Sequence, residues 1–292
     1  MLKGMTAHAN ELAVHVRGLR KQYGDVTAVD GIDLGIRRGE VFGLLGPNGA
    51  GKSTTVEILQ GNRSRDAGEV SVLGTDPATG TRAWRSRVGI VWQDESAPAE
   101  LTVGETVRHF ARYYPRPRDP GEVIGLVGLG AKANSRVKTL SGGQRRRLDV
   151  ALGVIGDPEL LLLDEPTTGF DPAARHQFWD LIRLLADEGT TILLTTHYLE
   201  EAEALAGRLA VVARGRVVAE GGPGELREQY GTGATVTWTE PDGSARVEHT
   251  DTPTRTVAAL LSRFDGEIPG LTVTRPTLED VYLRLTGQEA AR

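Results

Sequence analysis

The sequence contains no cysteine, which excludes disulfides, cysteine-ligated zinc and thiol catalysis together and fits a reducing compartment. It also lacks any uncharged run approaching the about 20 apolar residues that span a bilayer. Any work at a membrane is therefore expected to pass through a partner. The six histidines never pair at i,i+4, so no helical metal clasp is expected. An excess of basic charge is missing too: the net charge is −5 with both signs interspersed, which argues against a nucleic-acid-binding surface. The opening stretch MLKGMTAHANELAV holds one lysine and no apolar segment, so it does not read as a secretory signal. No internal repeat or low-complexity segment is visible.

What is present suits 292 residues with 39% apolar composition, enough for one sizeable domain and a smaller appendage. ELAVHV (11–16) and IDLGI (32–36) alternate as strands do, and the turn-rich YGDVTAVDG separates them. EVFGLLG (40–46) is a short apolar run that ends in glycine and leads through GPNGAGKST into a helical TTVEILQG. GEVSVLG and RVGIVWQ read as further strands. A helical insertion follows over about 94–156, opened by Thr102 as N-cap with Glu105 completing a capping box and Val103, Val107 and Phe110 on one stripe. In QRRRLDVALGVIG, Leu148, Leu152 and Ile155 share a face, and the arginine triplet is expected on a solvated one.

LLLLDE (160–165) reads as a strand buried on both faces and TILLTT (191–196) as another, each followed by a helical segment. Strands alternating with helices predict an α/β fold with a parallel sheet. RLAVVARGRVVAEG predicts a hairpin around Arg214 and Gly215. After residue 230 the composition changes, and a small α+β accessory unit is expected over 231–292. It comprises a hairpin turning at Pro-Asp-Gly, a helix with Val257, Leu260, Leu261 and Phe264 at core spacing, a short strand, and a last helix capped by Thr277 with Asp280 three residues on.

Residues 46–54, GPNGAGKST, meet the G-x-x-x-x-G-K-[ST] pattern of a phosphate cradle. Gly46, Gly49 and Gly51, with Pro47, Asn48 and Ala50 between them, let the backbone curl so that successive N–H groups face an anion. Lys52 reaches the outer phosphates, Ser53 offers a hydroxyl to Mg²⁺, and Ser53 and Thr54 begin the helix whose positive end faces the site. Such chemistry needs acidic groups at the end of a neighbouring buried strand. Asp164 is expected to hold the metal's water shell, and Glu165 to orient or deprotonate the attacking water.

LSGGQ (140–144), lying between this cradle and LLLLDE, resembles the signature of ATP-binding cassette (ABC) ATPases, and the likeness runs from about Val14 to Gly222. It implies a P-loop NTPase with a RecA-like parallel-sheet core, an N-terminal antiparallel β subdomain and a helical insertion, within an ATP-binding domain of residues 1–230. The resemblance also implies roles for residues that spacing leaves open. Tyr23 would stack on adenine, and Gln93 would sit at the hinge into the insertion and join Ser53 and Asp164 at the metal. Asp171 of TTGFDP would reach a partner subunit, and His197 would contact the γ-phosphate. RRRLD and Phe170 depart from commoner members and lie beside the chemistry, without bearing on the fold or activity that the resemblance implies.

Ser141, Gly142, Gly143 and Gln144 form a second anion cradle at a helix start, this time without a lysine. Family resemblance implies that it serves ATP bound to another copy, so that two chains sandwich the nucleotide head to tail as a homodimer. It further implies an integral membrane permease as partner, docked on the helical insertion, with the chain peripheral on the cytoplasmic face of the membrane. PTLEDVYLRLTG and TTHYLEEAE are similar to segments of daunorubicin-type antibiotic-resistance exporter ATPases. Two other classes compete: a cassette ATPase acting on nucleic acid or ribosomes, and a regulatory module that binds nucleotide without turnover. Glu165 and His197 weigh against the second. The first usually carries two cassettes or long coiled-coil insertions, and neither is present.

Overall fold

Residues 11–91, 100–264 and 266–287 are described in the structure, a computed structural model. Two compact units divide the chain after Gly222.

The first unit opens with two twelve-residue strands, β1 (Leu12–Tyr23) and β2 (Val26–Arg37), paired antiparallel. The stretch expected to be turn-rich is almost entirely strand, because Gly24 takes a left-handed φ of 55° and closes a tight turn between Tyr23 and Val26. Pairing then continues through Lys21 and Val29 and through Arg20 and Asp30, which also form an ion pair at 2.6 Å. β3 (Val41–Leu45) leads to helix α1 (Lys52–Leu59), and β4 (Ala67–Val72) returns to the free edge of β1. A single turn, α2 (Arg82–Arg85), buries Trp84, whose indole N–H donates to the Val72 carbonyl at 2.8 Å. β5 (Val88–Val91) follows. The Gln93 assignment lies outside the described residues.

The insertion contains α3 (Val103–Ala111), α4 (Pro120–Leu126) and α5 (Gly142–Val154). Thr102 and Glu105 form the expected capping box on α3, and Val103 and Val107 are buried. The chain then alternates through β6 (Leu160–Asp164), α6 (Pro172–Asp187), β7 (Thr191–Thr196), α7 (Leu199–Leu205) and the hairpin β8 (Arg208–Ala213) and β9 (Arg216–Gly221).

A six-stranded sheet results, in the order β5-β6-β7-β3-β8-β9, parallel except for its last pair. The leucine run of β6 explains its own burial: Leu160 and Leu162 point into the core shared with β1, β2 and α1, and Leu161 and Leu163 into the core shared with the insertion and α6. Because β6, β7 and β3 are neighbours in register, their carboxyl ends open side by side, where ligands of such sheets bind.

The second unit starts with α8 (Pro223–Tyr230), eight residues earlier than the composition suggests. It continues with β10 (Ala234–Thr239), β11 (Ala245–Thr250), α9 (Pro253–Leu261), β12 (Thr272–Thr274) and α10 (Leu278–Thr286). α8 belongs here because Arg284 of α10 donates to the Tyr230 carbonyl at 2.9 Å. The strands form an antiparallel sheet ordered β11-β10-β12. Val236, Trp238, Leu260 and Ile268 make its core, with Val257 and Phe264 packed against them. Leu261, expected in that stripe, is 55% exposed; one residue beyond Leu260 is a 100° rotation, which carries it off the buried face. Thr277 and Asp280 cap α10 reciprocally, as their spacing predicts.

Candidate active site

The cradle hangs between the end of β3 and the start of α1, and its glycines are dictated by close approach. A Cβ on Gly46 would lie 2.4 Å from the Val212 carbonyl oxygen. Gly51 has a φ of 103°, and a Cβ there would lie 2.3 Å from the Ala28 carbonyl oxygen. The loop is braced from behind: the Gly215 N–H donates to the Ala50 carbonyl at 3.1 Å, and the Asp30 N–H to the Gly215 carbonyl at 2.8 Å. Ala50 is buried, Pro47 and Thr54 are half-buried, and Asn48, Gly49 and Ser53 are exposed at the mouth.

Lys52 folds back under its own loop. Its ammonium donates to the carbonyls of Gly46 at 2.8 Å and Pro47 at 3.3 Å, and only 5% of the residue is exposed. Burial pushes its pKa down, against the opposing pull of the Glu165 and Asp164 carboxylates. Glu165 Oε1 is 3.9 Å from Nζ.

Thr195, at the end of β7, organises the acidic pair on β6. Its hydroxyl donates to Asp164 Oδ1 and accepts the Glu165 N–H at 3.1 Å, and the same N–H reaches the Thr195 carbonyl at 3.1 Å. Glu165 adopts a left-handed φ of 46°, so the chain leaves the strand at the carboxylate itself. From the next turn, His197 brings Nδ1 to 3.2 Å from Glu165 Oε1, within ion-pair range but without hydrogen-bond alignment.

Arg146 corrects the solvated reading of the arginine triplet. It is 8% exposed, and its guanidinium donates to the carbonyls of Asp164 at 2.9 Å and Pro166 at 3.0 Å, tying α5 to the strand end. Burial lowers its pKa, with Asp149, Asp164 and Glu201 opposing. Arg145 and Arg147 are half-buried. The available signal was the helical spacing of Arg146 with Val150 and Val154, both buried, which puts a second buried stripe on α5. Thr195 carried no such signal: it stands beside Thr196 and shares the strand TILLTT with Thr191, all buried, and nothing in the pattern sets it apart.

The structure therefore gathers Lys52, Asp164, Glu165 and His197 at three adjacent strand ends, with Ser53 and Thr54 in the first turn beside them. Tyr23, the Ser141–Gln144 turn and Asp171, also singled out from sequence, stand apart from that cluster. Tyr23 sits at the β1–β2 turn, 38% exposed, with Arg63 Cζ at 5.2 Å and Lys21 Nζ at 5.4 Å from its ring centre. Ser141 caps α5: its hydroxyl accepts the Gln144 N–H at 3.3 Å, and the Gln144 side chain accepts the Ser141 N–H at 3.1 Å. A Cβ on Gly142 or Gly143 would meet nothing within 4 Å. Asp171 is exposed and caps α6 by accepting the Ala174 N–H at 2.8 Å.

Comparison with known proteins agrees with this geometry. The family described as ABC transporter matches residues 29–168, a span holding the cradle, the Ser141–Gln144 turn and the Asp164–Glu165 pair. The chain is 44% identical to the Nod factor export ATP-binding protein I of Ralstonia nicotianae, the match covering 94% of each. It is 39% identical to the daunorubicin/doxorubicin resistance ATP-binding protein DrrA of Streptomyces peucetius, covering 95% of this chain and 93% of that one. A solved ATP-binding subunit of an ABC transporter superposes with a TM-score of 0.68 at 27% identity, covering 75% of this chain and 93% of the other. The cradle, the acidic strand end and likeness over nearly the full length lead to one conclusion: the chain belongs to the ATP-binding subunits of ABC transporters, ATPases coupled to transport.

Proposed function

We propose that two copies of this chain clasp ATP between them, hydrolyse it, and drive export of a small molecule through a separate membrane permease. One observation carries the clasp. Gly142 and Gly143 have open space where a side chain would stand, so nothing inside this chain requires glycine at either position. Bare backbone at a helix start is what an incoming phosphate needs, and without a lysine such a turn holds it only when another group shares the load. That group is the cradle of a second copy, whose Lys52 supplies the missing charge. Asp171, exposed at the start of α6, is the residue to reach across the same junction.

In the hydrolytic step, water attacks the γ-phosphorus, the bond to the bridging oxygen breaks, and ADP leaves. Glu165 takes the water's proton, and His197 orients the γ-phosphoryl oxygens beside it. Lys52 exchanges its loop carbonyls for phosphate oxygens. Tyr23 offers its exposed ring to adenine. The Ser53 hydroxyl and the Asp164 carboxylate are hard oxygen donors of the kind Mg²⁺ takes, and the ion when bound would neutralise charge on the phosphates. Asp164 fits that role because Thr195 holds one carboxylate oxygen and leaves its other acceptor positions open.

Attachment at the cytoplasmic face is proposed to be peripheral, through the permease; among the described residues no helix is long and apolar enough to cross a membrane. The names of the export relatives favour export over action on nucleic acid. Affinity purification of the tagged chain from detergent-solubilised membranes tests the assignment. An integral membrane protein is expected to co-purify in stoichiometric amount; recovery of the chain alone, with wild-type ATPase activity, contradicts it.

A further inference from the structure

α7 carries three glutamates, and one of them is in the wrong place for a surface helix. Glu201 is fully buried, whereas a glutamate is almost never so unless paired. Its carboxylate faces the hydroxyls of Thr196 and Thr167, the indole N–H of Trp179 and the charge of Arg175. Each of these groups donates, and a carboxylate only accepts, so the set is chemically matched. Burial raises the carboxyl's pKa and the donors oppose the rise.

The cluster is drawn together but not closed. Both carboxylate oxygens, Thr167 Oγ1, Trp179 Nε1 and Arg175 Nε are out of ideal hydrogen-bond alignment, although Thr196, Thr167 and Trp179 approach the carboxylate as donors. Buried polar atoms left in this way are costly, and a small shift of the segment after β6 or of α7 would pair them. They come from different parts of the chain. Thr167 lies two residues beyond Glu165 and four before Asp171; Trp179 and Arg175 are on α6; Thr196 immediately precedes His197. The Thr196 hydroxyl also accepts the Tyr198 N–H at 2.9 Å, bracketing His197 within one turn. Arg175 reinforces the junction, with Cζ 4.9 Å from the Tyr198 ring centre and Nη1 3.5 Å from Glu200.

We propose that Glu201 is a positioning residue for ATP hydrolysis: its carboxylate gathers the donors of Thr167, Trp179 and Thr196 and so fixes the turn bearing Glu165 and Asp171 against the turn bearing His197. Being fully buried, it reaches no ligand itself. The proposal rests on Glu165 and His197 acting at the γ-phosphate.

The test compares Glu201→Gln, Thr167→Val, the double variant and Glu165→Gln in the full chain, measuring kcat, KM for ATP and Tm. Glu201→Gln preserves volume but turns an amide N–H₂ toward groups that themselves donate. The expected result is a fall in kcat of about tenfold or more with KM little changed, since small misplacement of reacting groups acts on the chemical step. Some loss of Tm is expected with it, because buried donors lose their acceptor, so kcat is taken per folded molecule. Thr167→Val should lower kcat likewise, and the double variant should be no slower than the slower single one, because both changes break one contact. Wild-type kcat in both single variants, or losses that multiply in the double variant, would overturn the proposal, as would a fall that merely follows loss of folded protein. If Glu165→Gln hydrolyses ATP normally, the underlying reading of Glu165 has failed; if it is inactive while the Glu201 and Thr167 variants match wild type, the positioning role alone has failed.

Discussion

Glu165 presents Oε1 to Nδ1 of His197 at 3.2 Å, and the same oxygen lies 3.9 Å from the Lys52 ammonium. One carboxylate thus faces the end of β7 and the cradle at once, where a base for the attacking water is needed. Glu165→Gln removes the proposed proton acceptor and keeps the shape. Turnover is expected to fall by about a hundredfold or more, while ATP still binds and holds two chains together. Size-exclusion chromatography with ATP should show a dimer for this variant; residual hydrolysis near wild type contradicts the role.

Lys52→Ala removes the charge proposed to answer the outer phosphates. Equilibrium binding of a fluorescent ATP analogue should weaken by at least about tenfold, in line with the loss of a charge-assisted hydrogen bond. Undiminished binding and hydrolysis would mean that the loop is not the cradle.

Arg146→Met keeps the bulk of a buried side chain but strips the donors from the carbonyls of Asp164 and Pro166. Each carbonyl left without its donor costs about 1–3 kcal/mol, so urea unfolding should show a loss on the order of 2–6 kcal/mol. A change within about 0.5 kcal/mol, the range of a surface substitution, would mean that this guanidinium is solvated like an ordinary surface arginine.

That residue also marks the limit of reading from sequence. GPNGAGKST and LLLLDE are legible because phosphate binding and two-sided burial each impose a residue pattern over a short window. Three consecutive arginines look alike by composition; the spacing of Arg146 with Val150 and Val154 sets it on a buried stripe, but only the packed structure shows that it meets the end of β6. The long β1–β2 hairpin was hidden because a turn-rich composition does not reveal that Gly24 alone makes the turn. The start of the second unit was hidden for the same kind of reason: α8 joins it through a hydrogen bond to Arg284, far along the chain. Leu261 shows the reverse, an apolar residue at nearly the right spacing that the last turn of α9 leaves exposed.

Glu159 links β6 to Arg87 and Arg38, and these guanidiniums hold its carboxyl well down, from an ordinary 4.5 to about 2. A depressed carboxyl pKa adds stability that is fully present above the unfolded-state value and is lost as pH falls through the folded one. The stability difference between wild type and Glu159→Gln should therefore be constant above about pH 5 and shrink from about pH 4.5 toward 2. With 43% of the side chain exposed, solvent screening keeps the difference small. A difference independent of pH across that window would show that charge plays no part.

The central claim is that each copy completes the other's nucleotide site, and a mixing experiment tests it most directly. Lys52→Ala disables one chain's cradle and Ser141→Arg blocks the other chain's glycine turn, yet a heterodimer of the two retains one intact composite site. Mixed in equal amounts and allowed to exchange, the two inactive variants should recover ATPase activity up to about a quarter of wild type, as random two-fold pairing allows. A mixture no more active than the sum of its separate components would contradict the account.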